Sequence, residues 1–493
     1  MAQASGSSAE IWYKIEKNNG VTPSADSGAD TTLANAVNPG ATSVEVASDT
    51  SIAAGDILKV GNDNNMEFLK VDSTYVSGTT VALDSNTKVN YRHESGEAVK
   101  ETDPTADWFK LGNVRSFTPS GGRELQRSQS LTGTRVLSNF REGNYDAGAD
   151  MTVEMDIAAT GLFYMHALNS DYGTVGSSTA GASTTLSAAA AAGDATVSVT
   201  SETGFSVGEY AQISTGASAE VVKVGATAAG QITLDTSAHP NGLRKAHANG
   251  AACDEVIKPF THTINRGSTI PAGISFLLRF TDIESLMLIR GNKLSNLTLN
   301  VDPSDLPLLN MNVVGKAFQV LSENIFGTPV SIANTPYSHW EAVVKVGDAG
   351  GAISELTENQ LENLSVVIEN TIQGNFVVGS PIKGAITPGE GSVSGSFTYQ
   401  YSSQEFAERT IAGTETNLNF GWTYIGDGNH SLEIDVPRAK FEGTPHPGVS
   451  SKDPITDEKS FLGRLDSSSN TDVSVKMKNN QPTVEYMVET VTV

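Results

Sequence analysis

Sliding the 493-residue chain along itself uncovers one constant offset: the segment from Thr31 to Val71 recurs 153 positions later. Thr31-Thr32-Leu33 falls on Thr184-Thr185-Leu186, Gly40 on Gly193, and Val44 and Val46 on Val197 and Val199. Ser48 falls on Ser201, Gly55-Asp56 on Gly208-Glu209, Glu67 on Glu220, and Lys70-Val71 on Lys223-Val224. Further on the offset drifts by one or two residues, so that Leu83-Asp84 meets Leu234-Asp235, and His93 and Gly96 meet His247 and Gly250. Each copy spans about 70 residues, 31–100 and 184–257, and reads as several short strands joined by tight turns. Unrelated sequence separates the copies. They are therefore expected as two small β-domains inserted into loops of a larger host, where extra chain costs little closure entropy.

Alternation at period two governs most of the host as well. Leu294-Ser295-Asn296-Leu297-Thr298-Leu299-Asn300-Val301, Leu364-Ser365-Val366-Val367-Ile368 and Ser392-Val393-Ser394-Gly395-Ser396-Phe397 read as strands. Turn formers such as Pro388-Gly389-Glu390-Gly391 and Gly426-Asp427-Gly428-Asn429 punctuate them. Two short helices are expected: one over residues 157–168, and one capped by Ser402 or Ser403 and stopped by Gly413. The fold class is mainly β. A weaker duplication divides the host, since both 117–168 and 364–413 run in the order strand, long hairpin, glycine, strand, short helix. The expected division is a first half of residues 1–30, 101–183 and 258–284 and a second half of 285–493.

Charge and composition exclude several functions. The chain has 56 acidic against 32 basic side chains, a net charge of −24, which argues against holding nucleic acid through phosphate contacts. The lone Cys253 can form no internal disulfide. The beginning of the sequence lacks the basic and apolar regions of a secretory signal, and no apolar run approaches the roughly 18–20 residues of a membrane span. Export by signal peptide and membrane insertion are not expected.

Candidate reactive groups each have a plainer explanation. His93 and His247 recur, but no cysteine accompanies both, which favours a structural histidine over a metal ligand. His239 lies eight residues from His247 across a loop. Gly61-Asn62-Asp63-Asn64-Asn65 has calcium-like ligand types, yet position twelve counted from Asp63 is Thr74 rather than glutamate. Gly315-Lys316 is followed by Ala317, so no phosphate loop is spelled. Gly204-Phe205-Ser206-Val207-Gly208 spells a nucleophile elbow, but Glu209 to Ile213 read as a strand where a helix is required. Asp302 with Asp305 is too ordinary a pair to indicate a hydrolase. No enzyme, catalytic residue, cofactor or metal is expected. Arg115, Arg123, Arg127, Arg135 and Arg141 form the one dense basic run, and charge pairing across a subunit interface suits it better than DNA binding in so acidic a chain.

A family resemblance rests on an ordered series of motifs. Phe109 to Phe117, then Arg123-Glu124-Leu125-Gln126-Arg127, Leu131-Thr132-Gly133-Thr134-Arg135 and Arg141-Glu142-Gly143 resemble the N-terminal half of tail tube proteins of tailed phages and tailed archaeal viruses. Val313-Val314-Gly315-Lys316, Ser365 to Asn370, Gly379 and Val393 to Phe397 resemble the C-terminal half, while the two inserts depart from the minimal pattern. The resemblance implies a duplicated tail-tube β-sandwich or β-barrel core with short flanking helices. It also implies self-association into rings, a trimer of pseudo-sixfold symmetry first and a hexamer second, stacked into a tube. Tape measure and tail-end proteins are the implied partners, DNA passes through the lumen without specific binding, and the virion tail, assembled in host cytoplasm, is the implied location. A lumen of carboxylates that repels phosphate would give the acidity a role. The competing reading is a secreted or surface-layer adhesin with the repeats as binding modules.

Overall fold

The computed structural model describes residues 6–16, 22, 24–61, 65–128, 140–268, 271–331, 334–355, 361–448 and 454–485. It is mainly β, with two α-helices, Gly161–Ala167 and Glu405–Ala412, among the described residues. The organising element is a continuous antiparallel sheet. Strand Val114–Arg127 pairs with Phe140–Glu154, which pairs with Leu308–Gly315, then Ser285–Val301, Leu361–Glu369, Ser392–Gln400, Thr456–Gly463 and Ser431–Glu442. Alternation sets which face each residue takes. In Leu308–Gly315, for example, Leu309, Met311 and Val313 are buried while Asn310 and Asn312 are half-buried on the other side. The inward faces and both helices enclose one large apolar core that includes Met151, Leu297, Val366, Phe397 and Phe420.

Strand Ser285–Val301 belongs to two sheets. Its second part joins the large sheet, while residues 286–290 pair with Ala317–Leu321, and Ile274–Phe280 pairs along the same early stretch. Gly291 at φ +68 interrupts it, and the freed amide donates to the buried Glu16 carboxylate at 2.8 Å. Ala9–Ile15 and Phe109–Lys110 complete the smaller sheet. Residues 281–284 form the turn between Ile274–Phe280 and Ser285–Val301.

The order hairpin, helix, hairpin occurs twice. Val114–Arg127 with Phe140–Glu154 is followed by Gly161–Ala167 and by Tyr172–Thr185 with Ala252–Asn265. Leu361–Glu369 with Ser392–Gln400 is followed by Glu405–Ala412 and by Thr416–Thr423 with Ser431–Glu442. The first helix starts one turn later than the periodicity predicts, because the buried Asp156 carboxylate takes the amides of Ala158 and Ala159 at 2.7 and 2.8 Å and holds residues 157–160 in a turn. The second has Gln404 as N-cap rather than a serine, and ends as predicted at Gly413, in the left-handed region at φ +62.

Residues 31–100 and 184–257 each hold an apolar cluster of their own, around Leu58, Val71 and Val81 and around Ala211, Val224 and Ile232. Their registers repeat. Ile57–Val60 pairs with Glu67–Lys70 as Tyr210–Ile213 does with Glu220–Lys223, and the bridge Val37 to His93 recurs as Ala190 to His247. The attachments differ. The second copy continues the long strands Tyr172–Thr185 and Ala252–Asn265 end-on from the host sheet, through two register shifts. The first copy forms a separate four-stranded sheet and docks sideways on Ala317–Leu321. There Phe68 exchanges two bonds with the Gln319 amide, at 3.1 and 2.7 Å, and its ring meets Phe326 edge to face. Trp12, Trp108 and Leu288 close this contact. At roughly 1.5–3 kcal/mol for each large apolar side chain buried, the contact holds the first copy rigidly on the host.

Candidate assembly and channel surfaces

The hairpin of Val114–Arg127 and Phe140–Glu154 changes character along its length. Near its base, residues 147–154 are flanked by Leu308–Gly315 and the hairpin has a buried face. Beyond Arg123 and Tyr145 neither strand pairs with a third among the described residues, and Leu125 and Phe140 are 55% and 68% exposed. A strand pair with free edges and exposed apolar side chains is a template for another chain.

The arginines divide along this hairpin. Arg115 grips Asp305 with two bonds of 2.6 and 2.7 Å and reaches Glu154 at 2.9 Å. Those carboxylates raise its pKa further, and in return the Arg115 bonds hold Asp305 down to about 2. Arg123 pairs with Glu142 and lies 4.7 Å over the Tyr145 ring. Both are thus occupied within the chain. Arg127 and Arg141 are exposed and form no ion pair among the described residues. Arg135 lies outside the described residues.

A second arm extends the Leu361–Glu369 and Ser392–Gln400 pair. Gln373–Phe376 and Lys383–Thr387 form a two-stranded ribbon whose turn carries Val377 and Val378, both exposed. Lys383 anchors its base by pairing with Asp146 and donating to the Gly315 and Ala147 carbonyls at 3.2 and 3.3 Å.

The face of the large sheet opposite the core is polar, with two central rows made mostly of small groups. One cross-strand row reads Ser116, Thr152, Asn310, Thr298, Val367, Ser394; the next reads Thr118, Asp150, Asn312, Asn296, Glu369, Ser392. Thr152 donates to Asn310 at 2.8 Å, Asn312 to Asp150 at 2.7 Å, and Ser365 to Asn300 at 3.0 Å. A shallow trough of about 370 Å3 runs over these rows. The rows hold two carboxylates and neither lysine nor arginine.

The remaining sequence candidates have structural partners. His93 is buried between Glu67 and Glu97, each 2.7 Å from a ring nitrogen, while His247 lies 3.2 Å from Glu220 and 2.9 Å from the Ser214 hydroxyl. Glu67 also accepts the Asn90 and Tyr91 amides, and Glu220 the equivalent Arg244 and Lys245 amides. Burial pushes His239 down to about 4, and its Nε2 accepts the Lys223 amide. Gly204–Gly208 is a turn leading into strand Tyr210–Ile213, with the Ser206 amide bonded to Glu209. Asp302 caps Ser304 and Lys316 donates its amide to Arg290. Residues 62–64 of the calcium-like loop lie outside the described residues. Among the described residues no group of three or more His, Cys, Asp or Glu side chains can hold a metal, and no helix is long and apolar enough to cross a membrane. The buried Glu–His pairs escaped sequence reading, although the recurrence of Glu67 with His93 at Glu220 with His247 was their signal.

A family model described as phage tail tube protein matches residues 84–463. No curated protein matches the chain.

Proposed function

The chain belongs to the phage tail tube protein family, structural components of the virion tail, and we propose that it polymerises as stacked rings into the hollow tube through which the viral genome passes during ejection. The observation that carries this reading is the polar sheet face. A conduit for DNA needs a wall that makes no counter-charge contact with phosphate, and the two cross-strand rows contain no cation. Some of their polar groups are already bonded across the strands, Thr152 to Asn310 and Asn312 to Asp150, and so are held away from a passing phosphate. Charge elsewhere on the surface acts weakly across the wall, because screening removes interactions beyond roughly 8–10 Å at physiological salt. These two rows accordingly carry Asp150 and Glu369 as their charges, a milder surface than the carboxylate wall that net acidity implies.

Lateral contacts fall to the arms. The distal hairpin, with Leu125, Arg127, Phe140 and Arg141 exposed, pairs with an acidic neighbouring copy. The hairpin, helix, hairpin order, present twice, supports two tube-fold halves per chain and three chains per ring, with a hexamer as the alternative. The two repeat copies are inserted domains on the outer wall, since one pointing inward would obstruct the lumen. A tape measure protein and tail-end proteins are the expected partners, and assembly takes place in the host cytoplasm.

Negative-stain imaging of concentrated protein tests this directly. Rings or tubes are expected from the native chain, and discrete particles of unchanged circular dichroism from Leu125→Asp with Phe140→Asp. Flat lattices or persistent monomers from the native chain would overturn the reading.

A further inference from the structure

Between the first repeat copy, the projecting hairpin at Arg123, Glu142 and Tyr145, and the turn after Phe376 lies a cleft of about 470 Å3, within the usual range for small-molecule sites. Its floor is aromatic and apolar: the buried Tyr91 meets Tyr145 edge to face at 5.3 Å, beside Ile382. On one wall Arg92 pairs with Glu94 at 3.1 Å, both side chains 62% exposed. Across the cleft Arg123 pairs with Glu142 over the Tyr145 ring.

The chain carries its own control for these residues. Under the repeat, Asn38, Arg92, Glu94 and Glu97 correspond to Ala191, Ala246, Ala248 and Ala251, all alanine, yet the second copy forms the same strand pairings and the same bridge at its histidine. The module folds without Arg92 and Glu94, so their presence in one copy calls for another cause, whereas Glu97 has its own in the bonds to the buried His93 and to Asn65.

We propose that this cleft binds a neutral saccharide of one or two units. An arginine–carboxylate pair places donors and acceptors side by side, which matches vicinal hydroxyls. Two such pairs line the cleft beside Tyr145 and Ile382, whose apolar edges give the C–H groups of a pyranose a surface to rest on. The mixture of signs disfavours a simple anion or cation, each of which would meet like charge on both walls.

Saturation-transfer NMR of the full chain with methyl glycosides of glucose, galactose, mannose and N-acetylglucosamine tests the assignment. Transfer to at least one glycoside is expected, weakened tenfold or more by Arg92→Ala with Glu94→Ala, which installs the second copy's own residues and leaves the unfolding midpoint unchanged. Glu142→Gln on the opposite wall should weaken it too, guarding against misfolding of the first variant. Retention of the native chain on an immobilised polysaccharide of the responding sugar, against competition by the free glycoside, separates a polymeric from a free source. No transfer from any glycoside, or transfer indifferent to both variants, overturns the proposal, as does a peptide or second copy that occupies the cleft and excludes the sugar.

Discussion

The two repeat copies share pairings but not attachments, and the difference separates what a module needs to fold from what it needs to dock. Shared features lie at turns and inner faces: Gly40 and Gly193, Gly55 and Gly208, and Gly96 and Gly250 all adopt positive φ, and Val44, Val46, Val197 and Val199 are all buried. Divergent positions lie where each copy meets the host. Phe68, which locks the first copy against Phe326 and Gln319, corresponds to Val221, which packs with Tyr210, Val256 and Phe260 beside the through-running strands. A sideways dock depends on large anchors, here Phe68 and the buried Tyr91 that bonds Phe318. An end-on continuation depends on strand pairing and tolerates a smaller one.

The largest expected effect breaks that contrast at its anchor. Phe68→Ala should cost about 3–5 kcal/mol, the range for deleting a buried aromatic. Limited proteolysis should then release residues 31–100 while the host sheet stays intact. Val221→Ala should cost less than half as much by denaturant unfolding, without release of the second copy. Equal losses would mean that the two attachments are energetically alike.

Glu67→Ala comes next. It leaves the buried Tyr91 amide and the half-buried Asn90 amide without their carboxylate acceptor, at about 1–3 kcal/mol for an unsatisfied buried group. Glu220→Ala does the same to Arg244 and Lys245. The first-copy variant should be the more damaging, because the ring of His93 bonds Glu67 at 2.7 Å against 3.2 Å for His247 and Glu220. Thermal unfolding of the paired variants measures the gap.

Gly40→Ala and Gly193→Ala should cost the same. An added Cβ meets nothing within 4 Å at either site, so the cost is backbone strain alone, about 1–2 kcal/mol in both copies. Unequal costs in thermal unfolding would show that these turns, despite matching φ of +86 and +94, are not equivalent.

These sites also mark how far the sequence could be read. Short strands joined by tight turns in each copy were legible, because alternation and glycine position are local signals. Gly413 announced the end of its helix for the same reason. Asp156 delayed the first helix through contacts with its own turn and with Thr335, 179 residues away, which no local period registers. The Phe68 anchor was hidden likewise: between Met66 and Leu69 it reads as ordinary core, and its partner Gln319 is 251 residues distant. Alternation did tell which of Asn310, Thr298 and Ser394 point the same way along their own strands. That they align into one polar wall depends on strand order, set by pairings across long intervals.

Proton binding offers the finest test of the contrast between copies. His93 sits in a buried place that disfavours its charge, but Glu67 and Glu97 together outweigh this and raise its pKa above the ordinary value of about 6.5. A raised folded pKa means that folding favours the protonated ring. The resulting stabilisation is fully present below about pH 6.5 and is lost as pH climbs through the folded value. In the second copy the place of Glu97 is taken by Ala251, and the second ring nitrogen meets the Ser214 hydroxyl instead of a carboxylate. Hydrogen exchange should therefore show amides of residues 31–100 losing protection as pH rises from 6 to 9, beyond the change seen in residues 184–257. Glu97→Ala removes the carboxylate that the second copy lacks and should bring the two pH profiles closer. Profiles that already coincide in the native chain would place the Glu97 contact outside the stability of the first copy.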